Sequence, residues 1–278
     1  MGFGKNCAIG LPLAVLFCNA FTPETAISAV TLTSAIYTEN FDGLSAGVTF
    51  PTTYGVVTPI TGNTGWDGTR LAGSATVATQ FRDNQKGASG NSGLYAFHEN
   101  VSGERALGAI GAVQNVMAFG VALTNGTGQT LTNPTIVFDR EQWRTSTVAR
   151  KTMAFAYGTD ATVSNYLTAN LTAHSALDLV GINPTSSSGG QSGNSDAMRL
   201  GVQDSLTLTL LPGETLFLRW SDSSNAGSNG ALAIDNLSIT FSALEPDDQT
   251  STPEPGFVSF ALVGLLALSR RRRMNRVG

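Results

Sequence analysis

The sequence predicts an all-β fold, an antiparallel β-sandwich formed by residues 30–243. Gly, Ser and Thr make up 89 of the 278 residues, a composition that favours short strands joined by turn-rich loops. Segments with alternating apolar and polar residues recur along the chain, separated by Gly, Asn, Ser and Pro clusters. No long stretch of this region shows the sustained 3.6-residue apolar period of an amphipathic helix.

Ten segments are predicted to be strands: Ala35–Phe41, Ala75–Arg82, Leu94–His98, Leu107–Ile110, Val116–Thr124, Thr135–Arg144, Thr152–Tyr157, Leu206–Leu211, Thr215–Trp220 and Leu232–Phe241. The clearest is Leu206–Leu211, where leucines and threonines alternate strictly up to Leu210. A turn at Leu211-Pro212-Gly213-Glu214 follows, so we expect a hairpin with Thr215–Trp220. The Ser- and Gly-rich run 185–195 is predicted to be a mobile loop.

Residues 1–29 have the features of a secretory signal peptide with a helical apolar segment. Lys5 precedes the apolar run Ala8–Phe17, which has the length of a signal sequence rather than of a membrane span. Small residues follow, and cleavage after Ala20 or near Ser28 or Ala29 fits equally well. Both cysteines of the chain lie in this leader, so the mature domain is predicted to lack disulfides and thiolate metal sites.

The C-terminus has three parts after an acidic linker at residues 244–252. Pro253-Glu254-Pro255 comes first, followed by fourteen uncharged residues from Gly256 to Ser269 and then by Arg270, Arg271, Arg272 and Arg273. As a helix, the uncharged segment reaches about 21 Å, which spans a thinned bilayer if the arginines reach the cytoplasmic surface. The sequence therefore predicts a C-terminal transmembrane helix with the β-domain outside.

This tail resembles the PEP-CTERM sorting signal of Gram-negative bacteria. The resemblance depends on Pro253-Glu254-Pro255, on Gly264-Leu265-Leu266 within the apolar stretch, and on the arginine run. In that family the membrane peptidase exosortase cuts near the Pro-Glu-Pro element. The resemblance implies export through the Sec translocon, transient anchoring in the inner membrane, and release to the cell surface or extracellular matrix. The alternative is an ordinary short membrane anchor.

The β-domain is similar to a jelly-roll module common in secreted bacterial proteins. The residues that carry the similarity are Glu104–Gly108, Asn125–Gly128, Glu141–Arg144, Leu218–Asp222 and Leu232–Asn236. The similarity implies a jelly-roll-like sandwich and an extracellular location, and it implies no catalytic activity.

The motifs expected of an enzyme are weak, so the chain is predicted not to be one. Gly43-Leu44-Ser45-Ala46-Gly47 matches the nucleophile-elbow pattern, but the sequence after it favours a strand and not the required helix. His98 and His174 lie in no metal-binding pattern. The net charge of −4 argues against a nucleic-acid partner.

Trp143 is the candidate ligand-binding residue, because an exposed indole can stack on a sugar ring. It alternates with Glu141 and Asp139 on a polar face of its strand and is followed by Arg144. Packing beneath that arginine is the competing interpretation.

Asp235 is the candidate metal ligand. Regular alternation over Leu232–Phe241 would place it on the apolar face with Leu237 and Ile239, where an unpaired charge is too costly. A β-bulge, an arginine partner or a hard cation would each resolve the conflict. Many jelly-roll carbohydrate-binding modules hold a structural Ca²⁺ between their first and last strands, which implies Glu39 and Asp42 as further ligands. No other cofactor is predicted.

These observations favour an exported, non-enzymatic surface or matrix protein associated with exopolysaccharide. A carbohydrate-binding module with a defined glycan site is the first alternative, and an extracellular hydrolase with an unrecognised acidic site is the second.

Overall fold

The computed structural model describes residues 29–50, 53–73, 79–100, 103–112, 115–146, 151–159, 170–183, 188–222 and 230–244. Residues 1–28 of the predicted signal segment and the whole predicted sorting tail lie outside this range. The described part is all-β, as predicted, and its only helix is a short 3₁₀ turn at Ser175–Leu177. No helix in it is long and apolar enough to cross a membrane.

Within the described residues, the first sheet has eight strands. They are β1 (Val30–Leu32), β4 (Thr58–Pro59), β5 (Trp66–Ala72), β10 (Val116–Asn125), β12 (Thr152–Thr159), β13 (Thr172–Ala173), β14 (Leu179–Val180) and β18 (Thr215–Asp222). Their order is β13-β12-β18-β10-β5-β4, with β1 also pairing with β10 and β14 with β12. All these pairs are antiparallel except β1 with β10.

The second sheet has nine described strands. They are β2 (Ile36–Glu39), β7 (Arg82–Gln85), β8 (Gly93–His98), β9 (Arg105–Ile110), β11 (Thr130–Thr145), β15 (Gly189–Gly190), β16 (Arg199–Ser205), β17 (Thr209–Leu210) and β19 (Ala231–Leu244). Their order is β15-β11-β19-β9-β8-β7, with β16 and β17 also on β11 and β2 also on β19. A separate pair joins β3 (Thr49–Phe50) to β6 (Thr79–Gln80).

The main core lies between the two sheets and is centred on Trp220. The Trp220 ring centroid lies 4.9 Å from that of Phe155, 5.9 Å from Phe119 and 6.2 Å from Trp66. The indole N–H of Trp220 donates to the Leu177 carbonyl, and that of Trp66 donates to the Tyr37 hydroxyl. Both tryptophans are therefore buried with their polar atoms paired, and Trp220 is a core residue as its alternation predicted.

The prediction that Leu206–Leu211 and Thr215–Trp220 pair as a hairpin is wrong. The turn exists, with Glu214 N donating to the Leu211 carbonyl and Gly213 at φ +83°. However, β17 before the turn pairs with β11 in the second sheet, whereas β18 after it pairs with β10 and β12 in the first. The alternating leucines face the interior, but one buried face is compatible with either sheet, so alternation alone does not identify the partner strand.

The outer face of the second sheet has a smaller apolar cluster of its own, here called the outer cluster. Its members are Tyr95, Phe97, Ala106, Ile110, Trp143, Ala231 and Ala233. Segment 188–198 lies over it: β15 pairs with Arg144–Thr145, and a Cβ at Gly193 would overlap the Trp143 indole. The part of the predicted mobile loop that the structure describes is therefore a cover for this cluster.

We expect Trp220→Ala to lower the free energy of unfolding by about 3–5 kcal/mol, the usual range for removing a large buried aromatic side chain. Leu200→Ala is the matched control, because Leu200 is half exposed on β16, and it should cost less than about 0.5 kcal/mol. Urea titration of the mature domain measures both. Equal losses in the two variants would contradict the central position of Trp220.

Candidate metal centre

Asp235 faces away from the main core because β19 contains a bulge. Between Val137 and Asp139 of β11, the paired residue on β19 moves from Ser238 to Asp235, so β19 carries one extra residue there. Asn236 adopts φ +49°, a conformation that Asn tolerates better than most residues. The bulge proposed as one remedy for Asp235 is thus present. It does not expose the carboxylate, which is 0% accessible.

The extra residue reverses the inward and outward alternation of the β19 side chains beyond it. Leu232 and Ile234 before the bulge, and Leu237 and Ile239 after it, all belong to the main core. Ala231 and Ala233 belong to the outer cluster, and Asp235 continues their alternation.

Three carboxylates meet on this outer face. Glu104 immediately precedes β9, Glu141 lies on β11 and Asp235 on β19, and these three strands are neighbours in the sheet. One oxygen from each side chain lies within 4.8 Å of the others. Glu141 and Asp235 are both fully buried. We refer to Glu104, Glu141 and Asp235 as the carboxylate cluster.

Each carboxylate is oriented by a neutral N–H donor. Trp143 Nε1 donates to Glu141 Oε2 over 2.8 Å, and Asn236 Nδ2 donates to Asp235 Oδ2 over 2.9 Å. Asn194 Nδ2, from the covering segment, donates to Glu104 Oε2. The second oxygen of each carboxylate is buried and accepts no hydrogen bond from a described residue outside the cluster. One oxygen of each carboxylate is therefore held by an amide or indole N–H, and the other oxygen has no such donor among the described residues.

The electrostatics of the cluster oppose ionisation. Burial, and then the neighbouring Glu104, raise the pKa of Glu141 to about 8, against smaller opposing effects of Trp143 and Arg199. Burial, a hydrogen bond shared with Glu104 and the charge of Glu141 raise the pKa of Asp235 to about 9. The arginine remedy does not apply within the described residues, where Arg199 lies 3.9 Å from Asp139 and pairs with it instead.

Of the three predicted metal ligands, only Asp235 belongs to the cluster formed by described residues. Glu39 Oε1 accepts from the backbone N–H of Phe41 over 2.9 Å. Asp42 Oδ1 accepts from the backbone N–H of Arg105 over 3.1 Å. Asp42 therefore holds the start of β9, and with it the position of Glu104.

Glu104 and Glu141 were missed because nothing in their local sequence marks a ligand. A signal was present at longer range, since both residues and Asp235 lie in the segments that carry the jelly-roll similarity. Three such segments on adjacent strands, each contributing one carboxylate to the same face, would have identified the cluster once the strand order was known.

Trp143 is not positioned to stack on a sugar. Its side chain is fully buried, with its ring stacked at 15° on Phe97 at a centroid distance of 5.7 Å. Gly193 lies against the indole and leaves it no face open to solvent.

The motifs weighed as catalytic are in structural settings. Leu44 N donates to the Phe41 carbonyl in a turn, and β3 follows at Thr49, so Ser45 does not lie at a strand–helix elbow. His98 is buried at the end of β8, and His174 Nε2 lies 2.8 Å from Asp204 Oδ2 on β16.

No protein-family profile matches the chain, and no curated protein matches it in sequence. Solved structures with a similar fold include the active domain of tailspike protein 4 of bacteriophage CBA120, at 10% identity and TM-score 0.32, covering 64% of this chain and 19% of that one. The K3 cleaved adhesin domain of Lys-gingipain from Porphyromonas gingivalis aligns at 10% identity and TM-score 0.38, covering 73% and 97%. The CBM22-1 xylan-binding domain of Paenibacillus barcinonensis Xyn10C aligns at 12% identity and TM-score 0.29, covering 57% and 86%. At these scores the similarities concern the fold and carry no argument about ligands.

In chelator, we expect the domain to lose stability as pH rises from about 5 to about 9. The native pKa values of Glu141 and Asp235 are raised to about 8 and about 9, from 4.5 and 3.8, so in this interval the native state binds more protons than the unfolded chain. Unfolding then becomes easier at each step in pH. Melting temperatures measured across this range test the direction.

The double variant Glu141→Gln with Asp235→Asn should have a flatter profile, because both titrating groups are gone. A profile as steep as that of the wild type would assign the pH dependence to other groups, among them Asp67, whose pKa burial raises to about 7.

Proposed function

We propose that the chain is an exported, non-enzymatic protein of the cell surface or extracellular matrix. The observation that carries the proposal is the three-part tail: Pro253-Glu254-Pro255, an apolar segment and an arginine run that ends near the C-terminus. An apolar leader at the other end of the sequence supports it, since sorting at the outer surface requires export first.

The β-domain suits this location. Its described residues form two antiparallel-rich sheets around an aromatic core, a fold that needs no disulfide to hold it together. The carboxylate cluster is not the acidic site that the hydrolase alternative requires. A glycosidic bond has to lie between two catalytic carboxyl groups, and Glu141 and Asp235 are fully buried beneath Trp143 and the covering segment.

Intact-mass analysis of the extracellular protein tests the sorting proposal in a host that carries the matching exosortase. We expect the mature form to lack everything from about Gly256 onward. Glu254→Ala should leave the arginine run on the protein, whereas Glu245→Ala, a matched change in the acidic linker, should be processed normally. A wild-type extracellular protein that keeps Arg270–Arg273 would mean that the tail is a permanent anchor.

A glycan-binding role is the second candidate, and an open polar groove favours it. The groove is lined by Thr38, Glu39, Asn40, Asn236, Leu237 and Ser238, on β2 and at the bulge of β19. Amide, hydroxyl and carboxylate side chains are among the residues that line this open groove, and such groups can hydrogen-bond to the hydroxyls of a polysaccharide. This candidate also fits association with exopolysaccharide after release.

Binding of the purified domain to a glycan array distinguishes the two candidates. Saturable binding that a free oligosaccharide displaces, and that Asn40→Ala weakens, would establish the groove as a glycan site. Thr33→Ala, an exposed polar change outside the groove, is the control. If no glycan competes, the groove is not a glycan site.

A further inference from the structure

We propose that the carboxylate cluster of Glu104, Glu141 and Asp235 binds a Ca²⁺ ion on the outer face of the second sheet, and that the ion fastens segment 188–198 to this sheet. The three side chains come from neighbouring strands, and one oxygen from each lies within 4.8 Å of the others. This site extends beyond the proposed function, which does not require a metal.

The buried oxygens are the independent observation that points to a ligand. Glu141 and Asp235 are 0% exposed, and Glu141 Oε1, Asp235 Oδ1 and Glu104 Oε1 accept no hydrogen bond from a described residue outside the cluster. Ionising carboxyl groups that are buried and face one another is costly, because burial and mutual repulsion both oppose it. A cation at their centre removes both costs, because it supplies positive charge and accepts electron pairs from all three oxygens.

The chemistry of the donors selects the cation. The cluster contains carboxylate oxygens and no histidine or cysteine, a set that suits hard cations rather than zinc or copper. Ligand oxygens on opposite sides of Ca²⁺ lie about 4.6–5.2 Å apart, so three oxygens within 4.8 Å of one another can surround it. Mg²⁺ binds at shorter distances and retains several waters, which a site enclosed by protein oxygens does not favour.

The covering segment contributes to the same site. Asn194 donates from Nδ2 to Glu104 Oε2, and its own Oδ1 is buried without a donor among the described residues. This amide oxygen is a fourth hard donor. Ser192 donates to Glu99 Oε1 beside it, and Gly193 packs on Trp143. Loss of the ion would remove its contact with Asn194 Oδ1, and with it one of the interactions that hold segment 188–198 on the sheet.

Calcium and terbium titrations of the chelator-treated mature domain test the site. We expect one Ca²⁺ per domain by calorimetry. We also expect Tb³⁺ emission on indole excitation, because Trp143 Nε1 lies 2.8 Å from the ligand Glu141. Glu141→Gln and Asp235→Asn each keep an acceptor for the existing donor, and each should weaken Ca²⁺ binding by at least about a hundredfold, the upper end of the effect of outer-shell changes.

Glu39→Gln is the matched control, because Glu39 bonds to its own turn and lies outside the cluster. It should bind Ca²⁺ as the wild type does. Loss of binding in Glu39→Gln with retention in Glu141→Gln would place the ion at the first strand and overturn the proposal. So would a wild type that binds no Ca²⁺ at 1 mM and gives no sensitised Tb³⁺ emission, a result that does not depend on any variant folding.

Hydrogen exchange tests the coupling to the covering segment. With CaCl₂, amides in segment 188–198 should exchange more slowly than in chelator, while those around the Leu211–Glu214 turn should not change. Asn194→Ala should keep the fold, lower Ca²⁺ affinity about 10–100-fold, and lose the added protection of the segment. Bound Ca²⁺ without slower exchange in segment 188–198 would show that the ion does not fasten it.

Discussion

β11 and β19 pair along most of their length with three register shifts, and the bulge at Asn236 decides which face of the sheet the β19 side chains on either side of it occupy. Without the extra residue, Asp235 would enter the main core in phase with Leu237 and Ile239. With it, the leucines and isoleucines on both sides of the bulge face the main core, and the carboxylate faces the outer cluster. One backbone irregularity thus permits a hydrophobic interior and a buried acidic cluster on opposite faces of the same strand.

The outer cluster explains why a Ser- and Gly-rich segment is ordered where the structure describes it. Trp143 and Phe97 are large aromatic side chains on a face that would otherwise meet water, and covering them recovers apolar burial. Only a residue without a side chain fits against the indole at position 193. The glycine at position 193 is therefore required by close packing, although a Ser- and Gly-rich composition is also typical of flexible linkers.

The sequence was sufficient to locate most of the longer strands. β8, β9, β10, β12, β18 and β19 all appear close to their predicted positions, and Trp220 is a core residue as its phase indicated. β5 was missed because Trp66-Asp67-Gly68 is a turn-like composition, yet the strand is buried on both faces and Gly68 permits close contact with Leu94 and Phe50. Asp235 was recognised from a local conflict between charge and phase. Glu104 and Glu141 depend on which strands are neighbours, and this long-range information is absent from local periodicity.

The proposed Ca²⁺ site is compatible with the proposed export. A chain that crosses a membrane through a translocon does so unfolded, so a site assembled from three strands and a covering segment forms only after translocation. Extracellular modules commonly bind Ca²⁺ with dissociation constants of about 10⁻⁴ to 10⁻³ M, matched to the ion concentrations outside cells. Ca²⁺ that binds only the folded domain raises its stability. This stabilisation would be present outside the cell, where the protein is proposed to act. Residues 30–243 contain no cysteine, so no disulfide within this region provides the same restraint. The proposed cation would hold segment 188–198 to the outer face of the sheet in the way that a covalent cross-link would.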